Sequence, residues 1–267
     1  PNSILGAYGV LFDLISIFIE ELFNLTDKKE IFTMRHQLNF TFYFLGGLFF
    51  FLLSRKLFDH KIAVIAILIY VLHPRLLAHG FFNPKDSILQ SFVAITLFTI
   101  YNTLYNNNNK WLIISGLMSG VCIATRINMI YLPIIFSLVV LLKNYKINSN
   151  NIKKGLWLSL RKIGLYLTCV VISLYILWPT LWENPINNFI WAFNLMKDFP
   201  WSGKLLYMEN IISSSEIPWH YIPTYIFITT PLLFLCFFIY GFVNIIFRFQ
   251  IDNIQNNPFH LLCILGI

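Results

Sequence analysis

The segment His73-Pro-Arg-Leu-Leu-Ala-His-Gly-Phe-Phe-Asn-Pro-Lys-Asp86 places two histidines, an arginine, a lysine and a carboxylate between two apolar stretches. Pro74 removes a backbone donor and bends or ends a helix there. Pro84 suits the first turn of the helix that follows. Asp86 then falls at a helix start, where it could simply cap free N–H groups together with Ser87. A carboxylate at the mouth of a bundle is costly unless it is paired or used, which makes Asp86 a candidate catalytic group as well. A second cluster, Thr125-Arg126-Ile127-Asn128, interrupts another apolar run. Arg126 could snorkel to lipid phosphate or bind an anion inside the protein. Arg75, Lys85 and Arg126 at one face would form a positive pocket suited to a phosphate or diphosphate head group. A third cluster combines Phe199-Pro-Trp-Ser-Gly-Lys204 with Ile217-Pro-Trp-His-Tyr-Ile-Pro223. The faces of Trp201 and Trp219 could carry sugar rings, with His73, His79, Asn83, Asn128 and His220 to satisfy hydroxyls. A loop folded on the bilayer would use the same aromatic residues without any substrate.

These clusters sit in a chain that is 57% apolar, 18% aromatic and only 12% charged. A soluble domain carries about 25% charged residues, so 267 residues of this kind read as an integral membrane protein. The net charge of +7 is then explained by basic loops on one side of the membrane, and no nucleic-acid partner is expected. Candidate spans are 38–57, 62–82, 87–105, 163–182 and 222–247, and 259–267 begins another. The run 111–142 is one long helix or two short ones turning near Thr125. The two-helix reading collects Arg55, Lys56, Lys61, Lys110, Lys143, Lys146, Lys153, Lys154, Arg161, Lys162 and Arg248 on one side, against Asp59 and Asp252. It obeys the positive-inside rule far better, at the cost of two helices of only roughly 21–24 Å. The expected fold is therefore all-α, a polytopic transmembrane helix bundle of about seven spans plus the start of an eighth. The polar clusters all fall on the side opposite the basic residues.

The expected organisation is an external amphipathic or juxtamembrane segment at 1–37, a transmembrane bundle at 38–182, an external aromatic-rich loop at 183–221, and transmembrane helices at 222–267. Within the first segment, Tyr8 to Phe23 has the apolar spacing of a helix lying on the membrane surface. The four cysteines lie in apolar runs without metal-ligand spacing. The chain starts at Pro1 and ends within an apolar run, and it reads as a piece of a longer protein.

The order of these pieces resembles the integral-membrane glycosyltransferases of the GT-C fold, above all the family 39 enzymes, which include protein O-mannosyltransferases and the aminoarabinose lipid A transferase. The resemblance is carried by the Tyr8-Gly-Val-Leu-Phe-Asp13 opening, Arg35-His36, the HPRLLAHGFFNPKDS and ATRINMIYLP blocks, and LWPTLW, FPWSG and IPWHYIPTY followed by Thr229-Thr230-Pro231. It implies inverting transfer of a hexosyl or pentosyl group from a polyprenyl-phosphate-linked donor at the non-cytoplasmic face, in a bacterial inner membrane. The acceptor would be a protein, lipid or glycan. The family's main catalytic carboxylate would precede Pro1, and a second acidic position matches Asp86 in a supporting role. A divalent cation could bridge Asp86 and the donor phosphate. Two other functions use the same clusters: a transporter or flippase of lipid-linked sugars, and an assembly subunit without catalysis. Polar breaks gathered toward one face, rather than at the midplane, favour the enzyme.

Overall fold

Prolines and capping side chains decide where the apolar runs break. The computed structural model describes residues 4–106, 108–148, 150–198 and 202–248. Among these, the helices are α1 (Leu11–Leu22), α2 (Lys28–Leu57), α3 (His60–Leu72), α4 (Pro74–Phe82), α5 (Pro84–Asn106), α6 (Asn109–Thr125), α7 (Tyr131–Ile147), α8 (Ile152–Leu177), α9 (Pro185–Lys197), α10 (Tyr221–Thr229) and α11 (Leu232–Arg248). Strands β1 (Lys204–Tyr207) and β2 (Asn210–Ser213) form one antiparallel hairpin with Lys204 opposite Ser213. The protein is an all-α polytopic helix bundle.

The run 62–82, expected as one span, is α3 and α4 bent by 59°. A residue before proline is driven out of the helical region, and His73 is extended at φ −69° and ψ 113°. Its Nδ1 then caps α4 by accepting from the Leu76 N–H at 3.4 Å. Pro179 has the same effect on Trp178, which ends α8 at Leu177 rather than at 182. At its other end α8 starts at Ile152, about ten residues before the expected span. Asn151 caps it through the Lys154 N–H. The run 222–247 is split at Thr230, with α10 and Leu232–Asn244 bent by 118°. Residue 37, expected to close an external segment, lies inside the continuous helix α2. The expected external loop contains α9 and the β-hairpin.

The run 111–142 is two helices. Arg126 is extended (φ −146°, ψ 116°) and a 3-10 turn, Ile127–Ile130, leads into α7. Arg126 Nη2 lies 2.6 Å from Asp86 at the start of α5. The Lys143 ammonium donates to the Leu104 carbonyl near the end of α5. The two helices therefore form a hairpin along α5, with α7 returning to the end from which α6 started. The same end holds Lys56, whose carbonyl accepts from Tyr101 Oη at 3.1 Å. Asp86 and Arg126 thus lie at one end of this hairpin, and Lys56 and Lys143 at the other. Among the described residues, four helices are long and apolar enough to cross a membrane, or up to six if each bent pair counts as one. α6, with 17 residues, packs between α5 and α8.

In hydrocarbon, helices gain little from apolar burial against each other and rely on close packing and satisfied polar groups. Several buried hydroxyls follow this rule, although the Ser87 hydroxyl is buried without a partner. Ser91, Thr96, Thr103 and Ser119 each donate to the carbonyl four residues back. Ser119 also meets Tyr166 Oη at 2.6 Å, joining α6 to α8. Around these bonds Ile100, Leu112, Ile123, Phe136, Val139 and Val170 form the largest buried cluster. Many other apolar side chains, such as Leu138, Val171 and Ile176, face outward as lipid contact requires.

The α6–α8 contact depends on Gly120. A Cβ there would lie 2.5 Å from the Val170 carbonyl oxygen and 2.8 Å from Ser173 Cβ. Gly120→Val is expected to cost about 1–3 kcal/mol through overpacking, read as a lower Tm in detergent. Gly164→Ala, with nothing within 4 Å of the new Cβ, is expected not to lower it.

Candidate active site

The site forms where α4 ends, α5 begins and α6 ends. Asn83 organises the first two. Its Oδ1 accepts from the Asp86 N–H at 3.2 Å, which caps the first turn of α5. Its Nδ2 donates to Asp86 Oδ2 at 2.8 Å and lies 2.7 Å from His79 Nδ1, one turn back on α4. The other Asp86 oxygen accepts from Arg126 Nη2 at 2.6 Å. Both oxygens of Asp86 are therefore engaged, by a neutral donor and by a cation. The pair is half open to solvent, with side-chain exposures of 48% for Asp86 and 32% for Arg126. A pair this exposed adds little stability, so its value lies in position.

An N-terminal strap closes over this point. The Gly6 carbonyl accepts from Trp178 Nε1 at 3.0 Å and from Thr180 Oγ1 at 2.8 Å. The Gly9 N–H donates to the Ala124 carbonyl at 2.8 Å. A Cβ at Gly9 would fall 2.2 Å from that carbonyl oxygen, so only glycine allows the approach. Between the two anchors Tyr8 is set beside the cations. Lys85 Nζ lies 4.4 Å from its ring centroid and the Arg126 guanidinium 5.7 Å from it. Among the described residues Lys85 forms no ion pair.

Two cavities adjoin Tyr8. The larger, about 550 Å³, has aromatic lining from Phe32, Phe81 and Phe82 and polar groups from Asp13, Asn39 and Lys85. Asn39 is buried, gives its Nδ2 hydrogen to the His79 carbonyl at 3.0 Å, and leaves Oδ1 without a partner. An unpartnered buried acceptor in a cavity wall is suited to a ligand hydroxyl. His36, also in the lining, donates from Nδ1 to the Phe81 carbonyl and packs edge-on against Phe32. Arg35 is held by Glu20 at 2.7 Å and more loosely by Asp13 at 4.0 Å. The smaller cavity, about 240 Å³, is lined by Tyr8, Arg126, Asn128 and Met196 among others.

The structure thus joins Asp86, Asn83, His79, Lys85, Arg126 and Asn128 around Tyr8. Arg75 is exposed at the other end of α4 and lines neither cavity. His73 stacks on Phe234 of α11 with centroids 5.2 Å apart. His220 is engaged by the β-hairpin, its Nδ1 2.5 Å from Tyr207 Oη, and Trp219 is 87% exposed beside it. Trp201 lies outside the described residues. Asp86 offers a single carboxylate whose oxygens are both taken. No group of three or more His, Cys, Asp or Glu gathers among the described residues. This donor set does not fit a divalent cation unless Arg126 is displaced, so no step here is routed through a metal. Sequence reasoning missed Tyr8 and Asn39 as site residues. The Tyr8-Gly9 pair was the available signal, since glycine marks a close backbone approach.

The paired charge of Asp86 and Arg126 thus lies beside cavities with aromatic lining in a bundle of membrane-type helices. The sequence pattern described as dolichyl-phosphate-mannose-protein mannosyltransferase matches residues 16–182, well over half of the chain, and the chain belongs to that family. It is a membrane glycosyltransferase of the mannosyltransferase type. No curated protein and no solved structure matches the chain.

Asn83 combines two roles that substitution can separate. Asn83→Ala is expected to cost about 0.5–2 kcal/mol through loss of the cap and to lower transfer activity. Asn83→Ser keeps a capping oxygen and is expected to recover Tm but not activity, because Asp86 still lacks its amide donor.

Proposed function

We propose that the protein transfers a mannosyl group from a polyprenyl-phosphate-linked donor to a hydroxyl acceptor on a protein, lipid or glycan, with inversion. The observation that carries this reading is Lys85, without an ion pair among the described residues, beside the Asp86–Arg126 bridge in the lining of a largely apolar cavity. An isoprenoid donor is an anion attached to a long apolar chain. The aromatic cavity suits the chain, and Lys85 with Arg126 suits the phosphate. In the transfer, the acceptor oxygen forms a bond to the anomeric carbon while the bond from that carbon to the phosphate oxygen breaks. The electron pair leaves with the phosphate, whose charge Lys85 and Arg126 offset. The acceptor proton passes to a general base. Asp86 supports the step by holding Arg126 in place. Asn39 Oδ1 is available to a substrate hydroxyl. Because the basic residues lie at the other end of the bundle, the positive-inside rule supports a non-cytoplasmic site.

The test uses membranes carrying the full-length protein, supplied with radiolabelled polyprenyl-phosphate mannose. Wild type is expected to move label to a product other than the carrier, and Asp86→Asn at equal expression is expected to lower this about 10- to 100-fold, the loss of one charge-assisted contact to Arg126. Lipid crossing between leaflets without transfer would instead support a flippase. Arg126→Ala is expected to raise the donor KM about 10- to 100-fold, the loss of one charge-assisted contact, with a much smaller change in Tm. Equal loss of folded protein and of activity would make Arg126 purely structural.

A further inference from the structure

Lys85 and Arg126 share one neighbour that carries no charge. Lys85 Nζ and the Arg126 guanidinium both lie within 6 Å of the Tyr8 ring centroid, at 4.4 and 5.7 Å. The rest of the site answers these two cations unequally. Arg126 has Asp86 at 2.6 Å, while Lys85 has no carboxylate partner among the described residues. An aromatic face attracts an ammonium without cancelling its charge. A carboxylate in the same place would hold Lys85 equally well and would compete with an incoming anion.

We infer that Tyr8 is a positioning residue for the transfer reaction: its ring fixes Lys85 as an un-neutralised cation for the donor phosphate. This rests on the reading that Lys85 and Arg126 receive that phosphate. The backbone around Tyr8 is built for a fixed ring. Gly6 is bonded to Trp178 and Thr180, and Gly9 to Ala124, so the ring is anchored on both sides to the ends of α6 and α8. Tyr8 also lines both the larger and the smaller cavity. It therefore stands where the apolar part of a donor and a small hydroxylated ring would meet. No hydrogen bond of the Tyr8 hydroxyl is needed for this role. The ring carries it.

The experiment is a double-mutant cycle on the full-length protein in membranes, read as donor KM and kcat with polyprenyl-phosphate mannose. Tyr8→Leu is expected to raise KM about 3- to 10-fold with kcat changed less. Tyr8→Phe, which keeps the ring, is expected to restore most of this. Lys85→Gln is expected to raise KM more, and adding Tyr8→Leu to it is expected to raise KM no further, since the two residues act as a unit. If Lys85→Gln raises KM but Tyr8→Leu does not, the phosphate reading stands and the role of Tyr8 falls. If Lys85→Gln leaves KM unchanged, the phosphate reading itself falls. Fully additive effects, or a Tyr8→Phe variant as impaired as Tyr8→Leu, would also overturn the inference. Tyr8→Phe separates loss of the ring from loss of the fold, because it preserves the packing that Tyr8→Leu removes.

Discussion

Inside a bilayer every backbone donor and acceptor must find a partner within the protein, and this constraint shapes the whole molecule. Irregular backbone is tolerated only where side chains or neighbouring segments take over the lost bonds. The chain leaves the helical conformation at His73, Asn83, Arg126 and Trp178. Each break is made good locally. His73 and Asn83 cap the helices they precede. Ala124, two residues before Arg126, has its carbonyl filled by the Gly9 N–H, and the Trp178 carbonyl accepts from the Leu181 N–H. The free valences of one end of the bundle are thus used to hold polar side chains close together. The other end is closed by ordinary caps from Asp59, Asn108 and Asn151 and collects basic residues instead.

This arrangement makes electrostatics inexpensive where it matters. An isolated carboxylate at a membrane boundary is unfavourable, yet Asp86 is matched by Arg126 and Asn83. Among the described residues the second cation, Lys85, faces an aromatic ring and no acid. The site therefore keeps a positive excess beside an apolar cavity, a combination suited to an amphiphilic anion. The family assignment and the geometry are independent of each other, one resting on residues 16–182 as a pattern and the other on distances.

Much of this was legible in the sequence. The breaks at Pro74 and Pro84 and the turn at Arg126 follow from local chemistry, and charge counting alone chose two helices for 111–142. The meeting of Asp86, Lys85 and Arg126 also followed, because all three fall at helix ends on one side. What could not be read was tertiary. Tyr8 and Asn39 join the site through contacts with residues some 40 to 120 positions away, and no local pattern encodes that. Arg75 shares a side with Lys85 but lies at the far end of α4, a distinction that side-of-membrane reasoning does not make. The early start of α8 was hidden because Lys153, Lys154, Arg161 and Lys162 lower the hydropathy without disfavouring a helix. The hairpin was hidden for a different reason. Its turn residues Met208 and Glu209 both adopt positive φ, where Asn-Gly would be the usual signal.

The bonds from Trp178 and Thr180 to the Gly6 carbonyl join residues 172 and 174 positions apart. Such contacts can form only after the intervening helices α1 to α8 have been synthesised. The strap carrying Tyr8 cannot lock until α8 has emerged and turned at Pro179. A partly synthesised chain therefore holds its carboxylate and its cations, but in an unfinished order. Closure of the strap over Asp86, Lys85 and Arg126 is in this way tied to synthesis of the chain through Thr180.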